Sequence, residues 1–219
     1  MQDNLLKINA HYQKVHPMKI FAVADIHGSQ YRLNIVLKNI EQYSPDLVIV
    51  CGDITQFGPS DVAKNFLDQI PVETLAIPGN IDTAEVNEGV TNSKATNIDM
   101  KRVEKRGISF VGISGVNQND IAQFFTTNKN VLDETSVLVT HVPPHKTQDK
   151  IFLGVYGGSK ELREIVDKYK PRLVLCGHIH EDPGHMKTGK TIVVNCSMGK
   201  RGEGALIEIN KTISVKMLD

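Results

Sequence analysis

Lys19-Ile20-Phe21-Ala22-Val23-Ala24, a short and mostly apolar run, ends on Asp25-Ile26-His27, and this passage sets both fold and chemistry. Strands buried on both faces read as continuous apolar stretches, and open α/β sheets hold ligands at the carboxyl ends of their strands. The same arrangement recurs four more times. Leu47–Cys51 passes through Gly52 into Asp53, and Leu75–Ile77 passes through Pro78-Gly79 into Asn80. Val137–Thr140 runs into His141, and Leu173–Cys176 passes through Gly177 into His178 and His180. Two aspartates, one asparagine and four histidines are thereby expected on one rim.

Carboxylate and amide oxygens together with imidazole nitrogens suit Mn, Fe, Zn or Ni, and no thiolate set points to a structural zinc knot. Seven donors exceed what one tetrahedral ion takes, so they fit two ions that share a carboxylate. Asp25/His27 and His178/His180 are each spaced by two, which in extended chain would aim both members at one face. Gly28, Gly52, Gly79 and Gly177 flank the donors where the chain must turn sharply after a strand.

The segments between these strands set the architecture. Ser29–Tyr43 carries Leu33, Val36, Leu37 and Ile40 at helical spacing and stops at Pro45. Ser60–Ile70 repeats the pattern with Val62, Phe66, Leu67 and Ile70. Strand and helix alternating in this way predict a parallel sheet with crossover helices. From about Asp99 the pattern changes: Ile98–Val103, Ile108–Ile113 and Val137–Thr140 read as strands without a long helix between them, with Gly107 in a hairpin turn. Ser159 caps a helix through Tyr169, and Arg172–Cys176 follows as a strand. Thr191–Asn195, Ala205–Ile209 and Thr212–Lys216 then alternate like antiparallel strands. Donors come from both halves, so the expectation is an α/β (α+β) fold in a single domain over 18–219: two packed mixed sheets flanked by helices, after a leader of residues 1–17.

The 219-residue chain balances 25 Lys and Arg against 25 Asp and Glu, which argues against a nucleic-acid partner held by bulk charge. No apolar stretch approaches the roughly 18 residues of a membrane span, and no membrane partner is expected. Residues 1–17, with Leu5, Leu6 and Ile8 among Lys7, His11, Lys14 and His16, are too polar for a secretory signal and read as a frayed leader. Three cysteines without metal-type spacing favour a reducing cytoplasm, with Cys51 and Cys176 as buried filler. Oligomeric state is left open, with a homo-oligomer allowed.

The series Asp25-x-His27, Gly52-Asp53, Gly79-Asn80-x-Asp82, His141 and Gly177-His178-x-His180 resembles the calcineurin-like metallophosphoesterases. Thr140-His141-Val142-Pro143-Pro144 and Leu175–His180 look especially like the small prokaryotic branch of that superfamily. The resemblance implies a four-layer αββα sandwich and a phosphoesterase acting on mono- or diesters of small molecules. It also implies two divalent cations, with Mn the first choice and Fe, Zn, Ni or Co as alternatives. The first ion would take Asp25, His27, Asp53 and His180; the second would take Asp53, Asn80, His141 and His178, with Asp53 as the bridge. Two such ions supply a bridging hydroxide at neutral pH and neutralise charge on the phosphate, so no protein nucleophile is needed.

One position departs from the family. Where it carries a histidine that protonates the leaving oxygen, this chain has Ile81, and Asp82 is left without an evident task. No residue is therefore assigned as catalytic. General acid help is worth about 10²–10⁴-fold, so its loss predicts weak activity on alkyl esters and better activity on aryl esters or diphosphates. His145 and Arg201 are the candidate substrate contacts, and Gly157-Gly158-Ser159 is either a phosphate-holding helix start or an ordinary cap. The competing reading is a non-catalytic binding or scaffold protein on the same fold, as in the retromer scaffold subunit. Ile81 favours the scaffold; the complete donor set favours the enzyme, because clustered carboxylates without a cation cost stability.

Overall fold

A computed structural model describes residues 17–200 and 202–219; the expected leader, apart from Pro17, and Arg201 lie outside the described residues. β1 (Met18–Val23), β2 (Leu47–Cys51), β3 (Thr74–Ile77) and the two-residue β4 (Thr96–Asn97) run parallel, joined by α1 (Gln30–Tyr43), α2 (Ser60–Asp68) and α3 (Ala84–Thr91). β5 (Lys101–Lys105) then turns through Arg106-Gly107 into antiparallel β6 (Ile108–Gly112). After α4 (Gln118–Thr127) come β7 (Val137–Val139), α5 (Lys160–Tyr169) and β8 (Leu173–Cys176), then β9 (Gly184–Thr188), β10 (Thr191–Asn195), β11 (Ala205–Ile209) and β12 (Ile213–Met217). The two six-stranded sheets have the orders β12-β11-β1-β2-β3-β4 and β5-β6-β7-β8-β10-β9.

Strand periodicity assigns each side chain to a layer. In β1, Met18, Ile20 and Ala22 face the second sheet, while Phe21 and Val23 face the helices; in β2, Leu47, Ile49 and Cys51 face inward, and Val48 and Val50 outward. Three apolar cores result. One lies between the sheets, one under α1 to α3, and one under α4 and α5. This is the four-layer αββα sandwich, each fully buried large apolar side chain contributing about 1.5–3 kcal/mol.

Caps fix the helix starts where the sequence indicates. The Ser29 and Ser159 hydroxyls accept from the backbone N–H groups of Arg32 and Leu162. Other expectations are corrected. Ile98–Val103 is not one strand: Ile98 is buried between the sheets, Met100 has φ 56°, and here the chain leaves the first sheet for the second. Helix α4 occupies part of the stretch expected to hold no long helix; Ile121, Phe124 and Phe125 form its buried stripe. Helix α3 and edge strand β9 were not expected. β10 runs parallel to β8 rather than continuing an antiparallel series, because β9 returns the chain first.

Candidate metal centre

The parallel strands of both sheets end on one face. Ala24 forms a parallel bridge to Ser197, just past β10, and the His178 N–H after β8 donates to the Asp25 carboxylate, so the loops after β1, β8 and β10 meet across the seam between the sheets. Oxygen or nitrogen atoms of Asp25, His27 and His180 lie within 4.8 Å of one another, as do those of Asp25, Asp53 and His141. Asn80 completes the second group, its Oδ1 lying 2.8 Å from both His141 Nε2 and His178 Nδ1. All seven side chains anticipated as donors are thus brought together, on five loops from both sheets.

They converge for a different reason from the extended spacing expected. Asp25, His27, Asp53 and His178 all have left-handed backbones, with φ of 63°, 53°, 50° and 68°. Each is a tight turn at a strand end, a conformation that costs non-glycine residues about 1–3 kcal/mol and concentrates at functional sites. Gly52 and Gly79 let the turns nest. A β-carbon on Gly52 would lie 2.6 Å from His141 Nδ1, and one on Gly79 would collide with the Asp53 carboxylate and amide.

The hydrogen bonds show how the polar atoms of the cluster face one another. His141 Nδ1 lies 2.8 Å from the Cys51 carbonyl, which only accepts, so Nδ1 carries the proton and donates. Nε2 faces Asn80 Oδ1 at 2.8 Å and Asp53 Oδ1 at 3.4 Å, both acceptors, a position that suits either a second proton on the ring or a cation held between them. His27 Nε2 and His180 Nε2 lie 3.2 Å apart. Carboxylate and amide oxygens crowded against imidazole nitrogens around fully buried Asp25 and His141 need positive charge among them, from protonated imidazoles or from a bound cation. Hard oxygens and borderline imidazoles fit divalent transition metals, so the donor set matches the ions the family implies.

The electrostatics agree. Burial works against an ionised Asp25, but the hydrogen bond from His180 and the nearby charge of His141 outweigh it and lower its pKa. Burial likewise opposes charge on His141, yet the Asp53 hydrogen bond and the Asp25 charge raise its pKa. His180 is raised chiefly by its hydrogen bond to Asp25, whereas burial lowers His27 and His178. Burial also raises the Cys51 and Cys176 thiols well above the usual range, keeping them neutral filler beside the site.

Several supporting residues were not foreseen from the sequence. Asp82, expected to orient nothing, accepts from the N–H groups of Ile54 (2.9 Å), Thr55 (3.0 Å) and Gly79 (2.9 Å) and from the Thr55 hydroxyl (3.0 Å). It ties the loop bearing Asp53 to the one bearing Asn80. Arg32, in the first turn of α1, donates to the Asp25 carbonyl at 2.5 Å and brings a cation to the rim. Buried Asp149 accepts from the N–H groups of Lys146, Thr147 and Gly158, and Gly157 and Ser159 also donate within the protein, so the three N–H groups of Gly157-Gly158-Ser159 are all engaged while the Ser159 hydroxyl caps α5. The segment is a cap. The His145 ring packs against Tyr156, its buried Nδ1 3.7 Å from Asp149 and without a hydrogen-bond partner.

Residues 18–182 match the model of the calcineurin-like phosphoesterase family. The chain belongs to the calcineurin-like phosphoesterases. An uncharacterised protein of Methanocaldococcus jannaschii is 36% identical over 197 residues, covering 82% of this chain and 88% of its own length. A probable glycerophosphodiester phosphodiesterase of Arcobacter nitrofigilis is 27% identical over 175 residues, 71% of this chain and 64% of that protein. Among solved structures, an archaeal phosphodiesterase superposes with a TM-score of 0.54 at 16% identity, covering 92% of this chain and 100% of the other. Family membership supports a hydrolase acting on phosphate esters. Among the described residues, no helix is long and apolar enough to cross a membrane.

Proposed function

We propose that this protein is a dinuclear metal-dependent phosphoesterase that works without an acid histidine. The observation that carries the proposal is the convergence of oxygen and imidazole donors around buried Asp25 and Asp53, with Asn80 Oδ1 2.8 Å from both His141 Nε2 and His178 Nδ1 and His27 Nε2 3.2 Å from His180 Nε2. Asp25, His27, Asp53 and His180 would hold one ion, and Asp53, Asn80, His141 and His178 the other, with Mn the first choice. When bound, such a pair supplies a hydroxide nucleophile at neutral pH and neutralises charge on the phosphate oxygens. The chain's own residues do the rest. The Cys51 carbonyl holds His141 in its Nδ1–H tautomer, Asp82 fixes the spacing of Asp53 and Asn80, and Arg32 adds positive charge at the mouth where an anionic ester approaches. His145 and Arg201 remain the proposed substrate contacts.

At position 81 the backbone N–H donates to Asp53 Oδ1 at 3.2 Å, and the side chain is isoleucine, which has no proton to give the leaving oxygen. Turnover should therefore track leaving-group acidity: aryl esters and diphosphates well, alkyl esters poorly. The test is metal-depleted protein assayed on aryl and alkyl phosphate mono- and diesters, with Mn, Ni, Co, Zn and Mg restored separately. Turnover is expected on the aryl substrates, and Ile81→His should raise alkyl-ester turnover by about 10²-fold. Equal rates on alkyl and aryl esters would contradict the missing-acid reading. No turnover with any ion would favour a scaffold on this fold.

A further inference from the structure

All nine bulky apolar side chains exposed among the described residues sit at the end of the molecule that carries the metal-type cluster. Tyr31 lies in the first turn after the β1 loop, Phe57 lies between β2 and α2, and Val116 between β6 and α4. Met100 is in the turn from β4 to β5, beside the carboxyl end of β6, where Lys101 pairs with Gly112. The other five fall within residues 151–156, between β7 and α5. The opposite end and the flanks expose none among the described residues. An asymmetry this complete marks a face that meets something apolar.

The loop at 151–156 is built to project. Lys150 and Tyr156 form an antiparallel bridge, and the Ile151 N–H donates to the Val155 carbonyl at 2.8 Å, closing a hairpin. Its base is anchored: the Lys150 N–H donates to Asp182 at 2.9 Å, and a β-carbon on Gly157 would lie 3.2 Å from Ile179, the residue between His178 and His180. Phe152 and Leu153 form the tip, 80% and 85% exposed, with Leu153 held at φ 64°. Exposed Lys146, Lys150 and Lys160 flank the hairpin along the chain, beside the Asp182 carboxylate that holds Lys150.

We propose that this face rests reversibly on an anionic lipid surface, with Phe152 and Leu153 entering the interface, and that the substrate is the phosphoester of a lipid headgroup. An apolar tip on a lysine-bearing base is the chemistry that binds the boundary between acyl chains and anionic headgroups. Among the described residues no helix spans a bilayer, and resting on one needs none. A second copy of this chain is the poorer occupant. A two-fold pairing through this loop would bring the same lysines toward each other, and lysine is depleted from the cores of protein interfaces. Docking in this orientation turns the cluster, one residue away from Ile179, toward the headgroups. The substrate assignment rests on the phosphoesterase reading; the docking does not.

The test is co-sedimentation of the full chain with phosphatidylcholine vesicles and with vesicles containing phosphatidylglycerol, beside the double variant Phe152→Asp/Leu153→Asp. Both side chains are solvent-facing, so the variant should fold, and its circular-dichroism melt verifies this. The native chain is expected on the anionic vesicles and less on the neutral ones, with partitioning of the variant down by about a hundredfold. Hydrolysis of a soluble aryl phosphate should be unchanged. Absence of binding to either vesicle, or equal binding by the variant, overturns the docking. So does a native dimer that the variant converts to monomer without vesicle binding, which would make the face a contact between copies. Vesicle binding without hydrolysis of any phosphoester would keep the docking and overturn the substrate assignment.

Discussion

Asp82 carries more of the centre's geometry than its place in the sequence indicates. Its four hydrogen bonds reach 3 residues back to Gly79 and 27 or 28 residues back to Thr55 and Ile54. Asp82→Ala leaves three backbone N–H groups unpaired at the turns that hold Asp53 and Asn80. A loss of about 2–4 kcal/mol is expected in urea unfolding of the metal-free protein, with a weaker metal affinity beside it. A variant as stable as the parent would show that water replaces the carboxylate. The convergence of the seven side chains was legible, because each follows an apolar run and belongs to a residue type that binds cations. The left-handed turns at Asp25, His27, Asp53 and His178 were not. They arise from loops packed against loops, and neither residue type nor spacing records them. Asp82 was hidden for the same reason: three of its partners come from a different strand end.

At the scale of elements, Gly89 lets α3 lie against the start of α2, where a β-carbon would collide with the Ser60 carbonyl. Gly89→Ala would improve helix propensity in isolation, yet overpacking should destabilise the protein by about 1–3 kcal/mol. A shift of the urea midpoint to lower concentration without a change of slope checks it. Asp46 joins β1 to the entry of β2, accepting from the Lys19 N–H at 2.8 Å and from Arg106 at 2.8 Å. Partial burial opposes its charge, but the Lys19 and Arg106 contacts prevail and depress its pKa. A depressed carboxylate stabilises the fold above its unfolded pKa, and that contribution disappears as pH falls through the folded value. Asp46→Asn should thus be less stable than the parent at neutral pH, with the gap closing below about pH 4. The buried strands such as β1, β2, β3 and β8 and the long helices α1, α2 and α5 were legible because a buried stripe or run continued to a cap, a proline or a turn. Helix α4 carried its stripe in Ile121, Phe124 and Phe125, but surrounding Asn, Gln and Thr masked it. The Ile98–Val103 run looked continuous because neither periodicity nor propensity shows that a chain is passing between sheets.

The whole molecule is two sheets whose carboxyl ends supply one site, and the core between them holds those ends in register. A cation that binds only the folded site should therefore stabilise the entire sandwich. At a hundredfold excess over its Kd, manganese is expected to raise the thermal midpoint by about 5–10 °C, reversed by chelation. Asp53→Asn should largely abolish the shift, since Asp53 is proposed to serve both ions. The most direct measurement is metal content by plasma mass spectrometry, after loading the stripped protein with manganese and desalting it. About two ions per chain are expected for the native sequence and at most about one for Asp53→Asn. A native chain that retains none, or that binds equally with and without Asp53, would contradict a paired-cation centre.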